Sequence, residues 1–454
     1  MKDIYLTNYA VKGIKTLDEL VSLSFYKKTI SRDMDTQEYN IKGIYGMNGS
    51  GKSGIVTSVD ILQNILINPG YLNNPIVQKN LDAIINKKIS ELSIEVDYIT
   101  KTSDPVMHFS YKVTLAKDAV GKYVIAYEKL SIKRATFSKD AMVPLFEVVN
   151  GEIIHVYEEQ DSEFAELFLK KTTNLLSTNS MCTLFLEKIF LQSDDISVEG
   201  ESLLWASLCI LVGFASKLCV CIEQSDDHRN HIVSNGFGGW ISKDIETDAL
   251  IKSFINAKSF GFDTMTGVHD IILKQQYNDF QNNVEKLSEF IRIFKSDLQG
   301  IEIDKKIDRD TYVCDLIMVY DGYKIHAEYE STGIKKLIRL YTYLKKMVEG
   351  KIVFIDEFDS NLHDVYLCAL LEYLMAYGKG QLCFTTHNVG PMDILKQHKK
   401  SIDFLSIDHQ IYSWKTNGNY SPAKLYKNGM IEGSPFNIDS IDFIGVFSSN
   451  EEEA

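Results

Sequence analysis

The sequence predicts an α/β protein in which a P-loop sheet core carries an antiparallel β subdomain and a helical insertion. Three observations carry that reading. The apolar run Ile41-Lys-Gly-Ile-Tyr45 leads into Gly46-Met-Asn48-Gly49-Ser-Gly51-Lys52-Ser53 and then a helical pattern to about Leu66, the strand, loop and helix order of a phosphate-binding unit. Over residues 91–127 apolar and polar residues alternate, as in antiparallel strands with one wet face. Two later apolar runs, at residues 351–355 and 381–385, each end in chemistry-bearing polar residues.

The elements follow in order. The opening stretch, MKDIYLTNYAVKG, alternates like an edge strand and lacks the apolar core of a signal peptide, so secretion is not expected. After the P-loop helix the alternation picks out Leu92, Ile94, Val96 and Tyr98, then Met107, Phe109, Tyr111, Val113 and Leu115, then Tyr123, Ile125 and Tyr127. Residues 161–270 are mostly helical in pattern, with acidic loops around 194–201 and 223–227 and a break at Gly236, Gly238 and Gly239. Within them, LLWASLCILVGFASKLCVCI (residues 203–222) is long enough to span a bilayer. Ser207, Gly213, Ser216 and Lys217 dilute it and acidic residues flank both ends, so a buried helix running into a buried strand is expected.

Tyr277, Phe280, Val284, Leu287, Ile291, Phe294 and Leu298 then form a heptad seam with alternating spacings of 3 and 4. It reads equally as a helix packed on its neighbours or as a short antiparallel coiled coil projecting from a head. Strands are expected at residues 312–320 and 324–329, and a helix from Gly333 to about Val348. The expected division is 1–160 for the first half of the head, 161–300 for the helical insertion and 301–454 for the second half.

Composition bounds the function. With 48 basic and 62 acidic residues in 454, the net charge of −14 would repel nucleic acid over most of the surface. Pro is scarce, 7 in all against an average of roughly 5%, which leaves long elements uninterrupted. Seven Cys without a CxxC pair form a reduced, cytoplasmic pattern.

Gly46 to Ser53 satisfies GxxxxGK[ST] in full. In such a loop the backbone N–H groups close around phosphates, Lys52 reaches the β and γ phosphates of ATP, and the Ser53 hydroxyl binds Mg²⁺. Lys351-Ile-Val-Phe-Ile-Asp356-Glu357 fits a Walker B strand, with Asp356 on Mg²⁺ and Glu357 as the base that polarises the attacking water. His387, thirty positions later at the end of Gln381-Leu-Cys-Phe-Thr-Thr386, can sense the γ-phosphate. Asp359-Ser-Asn361-Leu-His363 opens a helix, and Ser331-Thr-Gly333 starts one at which an anion can sit. The basic run Lys335, Lys336, Arg339, Lys345 and Lys346 reads as a solvated face. His228 and His231 beside Asp226 and Asp227 lack a third ligand and read as a loop.

Walker A, about three hundred intervening residues, a helix-opening Ser-x-Gly, Asp-Glu at a strand end, Asp-Ser-Asn-Leu-His and a strand-end His resemble the ABC-type ATPase heads of the SMC, RecF and RecN class. The ESTGIKKL, DEFDSNLH and TTHN runs look most like the AAA-type ATPases of bacterial phage-defence systems, OLD, Septu and above all PARIS. The resemblance implies that Ser331 and Gly333 are a signature capping ATP on another subunit, Asp359 and Asn361 a D-loop, and His387 the switch residue. Gln160 and Gln192 are candidates for the Q-loop. OLD proteins continue into a Toprim nuclease, whereas sixty-seven residues follow His387 here and Asp308-Arg-Asp310 falls before Walker B.

The resulting expectation is a cytoplasmic, Mg²⁺-dependent ATPase that forms a homo-oligomer, dimer or higher, through shared ATP sites. It would control a separate effector protein, a nuclease by the PARIS resemblance, with a phage protein as trigger and no membrane. DNA is kept as a less favoured ligand. The alternative is a RecF/SMC-like DNA-repair ATPase that binds DNA directly.

Overall fold

The computed structural model describes residues 4–31, 34–100, 105–136, 140–157, 176–191, 203–222, 265–309, 311–415 and 420–434. Gln160, Gln192, the His228 and His231 pair, the Gly236–Gly239 break and Asp310 lie outside them.

The core is a six-stranded sheet in the order Ile411–Ser413, Ile402–Leu405, Ile41–Gly46, Gln381–Thr385, Ile352–Ile355, Leu218–Cys221. All neighbours pair in parallel except the outermost Ile411–Ser413. Its parallel strands are buried along their whole length, because helices cover both faces, which is why they read as unbroken apolar runs. On one side the helix Lys52–Ile67 packs with Met181–Leu191 and Leu203–Lys217. On the other lie Thr332–Val348, Asp364–Tyr377 and Pro422–Lys427. The expected buried helix running into a buried strand is present as Leu203–Lys217 followed by Leu218–Cys221. Among the described residues no helix is long and apolar enough to cross a membrane.

A buried ion pair sets the neighbour of the P-loop strand. Lys42 donates to Asp403 at 2.5 Å and to the Lys400 carbonyl at 2.6 Å, while Ser413 donates to the other Asp403 oxygen at 2.6 Å. Two desolvated charges are tolerable here because each is paired and further hydrogen-bonded.

A seven-stranded antiparallel sheet runs Val21–Ser24, Ile4–Lys12, Glu91–Thr100, Met107–Lys117, Tyr123–Arg134, Val143–Val149, Glu152–Val156. Its middle is the meander expected from the alternation. Ile4–Lys12 is not the edge strand its sequence suggests, for Val21–Ser24 pairs outside it. Its burial also exceeds that of a one-sided strand, since Tyr9 on it packs against Phe354 of the core sheet. There the Gln381 side chain accepts from the Leu6 N–H at 2.7 Å and donates to the Leu6 carbonyl at 2.9 Å.

A smaller sheet, Asp270–Leu273, Thr311–Tyr320 and Gly300–Asp308 with Tyr323–His326 added, carries the heptad helix Tyr277–Phe294. Phe280, Val284, Leu287 and Ile291 are buried against that sheet and against Ile334, Leu337 and Ile338. Of the two readings of the seam, the packed helix is the one present, and the coiled-coil reading is corrected. Its stripe is consumed within the chain.

Candidate functional site

Three adjacent parallel strands deliver the chemistry to one end of the core sheet. The strand Gln381–Thr385 lies between Ile41–Gly46 and Ile352–Ile355, with Thr385 paired to Ile44 and Phe384 to Ile355. Their carboxyl ends therefore bring Gly46, His387, Asp356 and Glu357 to one edge, where ligands of open α/β sheets bind.

The loop from Gly46 to Ser53 turns as its glycines require. Gly49 and Gly51 have φ of +80° and +101°, left-handed values that cost a side chain strain. A Cβ on Gly51 would also lie 2.3 Å from Leu17 Cδ2, and one on Gly46 2.5 Å from the Leu405 carbonyl. Thr16 donates to the Gly49 carbonyl at 3.2 Å and steadies the loop from outside. Gly51 caps the helix Lys52–Ile67, whose first N–H groups have no partner within the helix and point at the loop. Lys52 is 6% exposed and donates to the carbonyls of Gly46 and Met47 at 2.8 and 2.9 Å. Burial pushes its pKa down to about 8, against the pull of Asp356, Glu357 and Asp359. Ser50 Oγ is buried with no partner among the described residues. A glycine-lined cradle, a helix N-terminus, a buried ammonium and a spare hydroxyl are a donor set suited to a polyphosphate.

Asp356 is 2% exposed. One of its oxygens accepts from Thr385 Oγ1 at 2.5 Å, and its N–H donates to the Cys221 carbonyl at 2.8 Å. Glu357 turns the chain with φ +46°, a left-handed value uncommon for a residue other than glycine. Its N–H donates to Thr385 Oγ1 at 2.8 Å and its carbonyl accepts from Lys336 Nζ at 3.1 Å.

Asp359 shares the electrostatic surroundings of Lys52 and of His387. Partial burial, followed by the Lys52 ammonium, pushes the His387 pKa below its ordinary value, with Asp359 and Asp356 opposing. Its imidazole is therefore neutral at pH 7 and holds one donor and one acceptor nitrogen. The Asp359 to His363 run is a turn rather than a helix start; the helix is Asp364–Tyr377 and begins without a side-chain cap.

Ser331 caps Thr332–Val348, accepting from the Ile334 N–H at 3.4 Å. Ser331 and Thr332 are exposed and Gly333 half-buried, as a surface offered to another molecule needs to be. Gly333 also abuts the D-loop candidate: a Cβ there would stand 3.1 Å from the Asn361 carbonyl, and Thr332 donates to Asn361 Oδ1 at 3.3 Å.

Two residues of the basic run do not belong to a solvated face, whereas Lys345 is exposed. Lys336 is 5% exposed, and Arg339 donates to the Ile222 carbonyl at 2.8 Å. Lys336 shares a helical stripe with Leu340, Tyr343 and Met347, all buried, and that spacing was the available signal. Thr385 was also missed. A hydroxyl at the end of an apolar strand beside the Walker B strand was its only sequence mark. Among the described residues, no group of three or more His, Cys, Asp or Glu could hold a metal ion. A Mg²⁺ site made from Ser53, Asp356 and phosphate oxygens is not of that kind.

Residues 277–393 match the family described as "AAA domain, putative AbiEii toxin, Type IV TA system". That stretch holds Ser331, Asp356, Asp359 and His387 and leaves the P-loop outside it. Two solved structures are similar at 12% identity and a TM-score of 0.41. One is an SmcHead bound to the C-winged helix domain of ScpA, aligned over 90% of this chain and 97% of that one. The other is an Smc head domain with a coiled coil and joint derived from Pyrococcus yayanosii, aligned over 91% and 97%. No curated protein matches the chain.

Proposed function

We propose that the chain is a Mg²⁺-dependent ATPase of the ABC type, formed from head halves 1–160 and 301–454, with Leu203–Lys217 and Leu218–Cys221 of the intervening 161–300 adding a helix and a strand to the same core. The observation that carries this is the meeting of Lys52, Asp356, Glu357 and His387 at the ends of neighbouring parallel strands. In this reading Gly46, Asn48, Gly49 and Gly51 cradle the phosphates and Lys52 turns from loop carbonyls to the β and γ oxygens. The Ser53 hydroxyl and Asp356 would hold Mg²⁺, which would supply positive charge to offset that of the phosphates. Glu357 accepts a proton from the attacking water, and neutral His387 donates to the γ-phosphate. Ser331 and Gly333, with Asp359 and Asn361, complete the site of a second copy, so ATP joins copies and hydrolysis parts them.

The test is Glu357→Gln, which should retain ATP binding and lower turnover by roughly 10²-fold or more, the scale of losing a positioned base. Hydrolysis at the parental rate would remove Glu357 from that role.

The cycle is proposed to control a separate effector, a nuclease, in a phage-defence system of the PARIS kind. The ESTGIKKL, DEFDSNLH and TTHN runs support it. The matched family's description, which names a toxin and a Type IV TA system, sits beside a defensive role. A repair ATPase of the RecF kind is the second reading, and strong stimulation of hydrolysis by DNA alone would favour it.

A further inference from the structure

The turn that holds Asp356 and Glu357 is fastened by a single residue of the neighbouring strand. Parallel pairing of Ile355 with Phe384 sets Thr385 beside Asp356. Thr385 is 1% exposed, and it meets three consecutive residues. Its Oγ1 donates to Asp356 Oδ1 at 2.5 Å, the same oxygen accepts from the Glu357 N–H at 2.8 Å, and its carbonyl accepts from the Phe358 N–H at 3.0 Å.

We infer that Thr385 is a positioning residue for hydrolysis, its hydroxyl orienting the Asp356 carboxylate toward Mg²⁺ and holding Glu357 where its side chain faces the attacking water. A hydroxyl offers one donor and two acceptor lone pairs, and the two bonds here use opposite capacities of one atom. The donor is committed to Asp356, and a lone pair to the Glu357 N–H. Displacing either partner strains the other, which couples the orientation of the metal ligand to that of the base.

The backbone at Glu357 explains why such a fastening is needed. A left-handed φ on a residue with a side chain is strained and persists only where surroundings over-determine it. Thr385 Oγ1 holds the peptide unit before the Glu357 Cα and Lys336 Nζ the one after it. The valine isostere fills the same space but can neither donate nor accept. It would leave a buried Asp356 oxygen and the Glu357 N–H without this partner.

The inference rests on reading Asp356 as the Mg²⁺ ligand and Glu357 as the base, so Glu357→Gln is measured in parallel. Steady-state hydrolysis is followed against ATP and, separately, against Mg²⁺, for Thr385→Val, Thr385→Ala and Thr385→Ser in the full chain. Loss of one such outer partner typically costs 10–100-fold in metal affinity or activity. Thr385→Val and Thr385→Ala should therefore lower kcat about 10-fold or more and raise the Mg²⁺ needed for half-saturation, with the KM for ATP little changed. Thr385→Ser should recover both.

A hydroxyl needed for packing alone would lower thermal stability without moving the Mg²⁺ curve, and that outcome overturns the inference. So does parental kcat in either folded variant lacking the hydroxyl, or a serine variant as impaired as the valine one. Two hydroxyl-free shapes keep the test standing if one fails to fold. If Glu357→Gln turns over at the parental rate, the base assignment fails. If Glu357→Gln is inactive while Thr385→Val matches the parent, only the Thr385 inference fails.

Discussion

Lys52 folds back on the Gly46 and Met47 carbonyls while burial holds its pKa down to about 8. The free protein therefore loses that positive charge as pH rises through 8, well below the ordinary lysine value. ATP affinity should be level below about pH 7.5 and weaken toward tenfold per pH unit above 8, the slope of a single linked proton. Calorimetric titrations across pH 7 to 9.5 read this directly, and Lys52→Ala should bind too weakly at every pH to show the slope. Unchanged affinity in Lys52→Ala would remove the P-loop assignment itself. The residues of this site differ in how they could be read. Gly46, Lys52, Asp356 and His387 announce themselves because each ends or follows an apolar strand at a fixed offset. Thr385 acts through bonds to a turn contributed by another strand, and such bonds have no local spacing; the helical stripe of Lys336 marks its burial but not its partner.

At the scale of elements, Thr332–Val348 spans two cores: Ile334, Leu337 and Ile338 pack with the small sheet, while Leu340, Tyr343, Leu344 and Met347 pack on the central one. The heptad seam and this helix thus form one support for Ser331, and the coiled-coil alternative arose because a/d spacing serves an intramolecular sheet as well as a partner helix. Ile4–Lys12 was misread as an edge for a related reason. Alternation reports which faces are buried, not which strand lies alongside. The same sheet holds Glu128, fully buried, which accepts from Tyr111 Oη at 2.9 Å and from the Met181 N–H at 3.0 Å at the start of Met181–Leu191. Burial raises its pKa to about 7, against the lowering effect of those two bonds. The folded state then binds more protons than the unfolded one between pH 4.5 and 7, so this group's stabilisation is complete below that window and lost above it. The change amounts to about 3 kcal/mol at most. Thermal melts of the parent and Glu128→Gln should therefore diverge with pH, the parent losing stability relative to the variant from pH 5 to 8. Parallel melting curves would show that Glu128 does not titrate in that range.

At the scale of the whole molecule, the proposal makes exposed Ser331 and half-buried Gly333 one half of a site and the loop at Lys52 the other, which two copies would complete. A Gly333→Arg protein lacks the first half and a Lys52→Ala protein the second, so each alone should be inactive while a mixture regains part of the parental rate. No recovery, with mixed assemblies shown to form, would argue against shared sites. The consequence for function follows from charge and from where the chemistry sits. A net charge of −14 disfavours duplex DNA as the main ligand, and two basic residues of the helix that Ser331 caps, Lys336 and Arg339, are spent on the carbonyls of Glu357 and Ile222. On the proposed cycle, the joining and parting of copies would be read by a protein surface. The purified chain is expected to cleave neither DNA nor RNA. Co-expressed with the product of its adjacent gene, it should give a stable complex, and Glu357→Gln should block the release or activation of that effector. The readouts are co-purification by size exclusion and nuclease assays on the complex with and without ATP. Nuclease activity that stays with the chain alone and disappears when its own acidic residues are changed would refute this division of labour, because one chain would then hold both the switch and the blade.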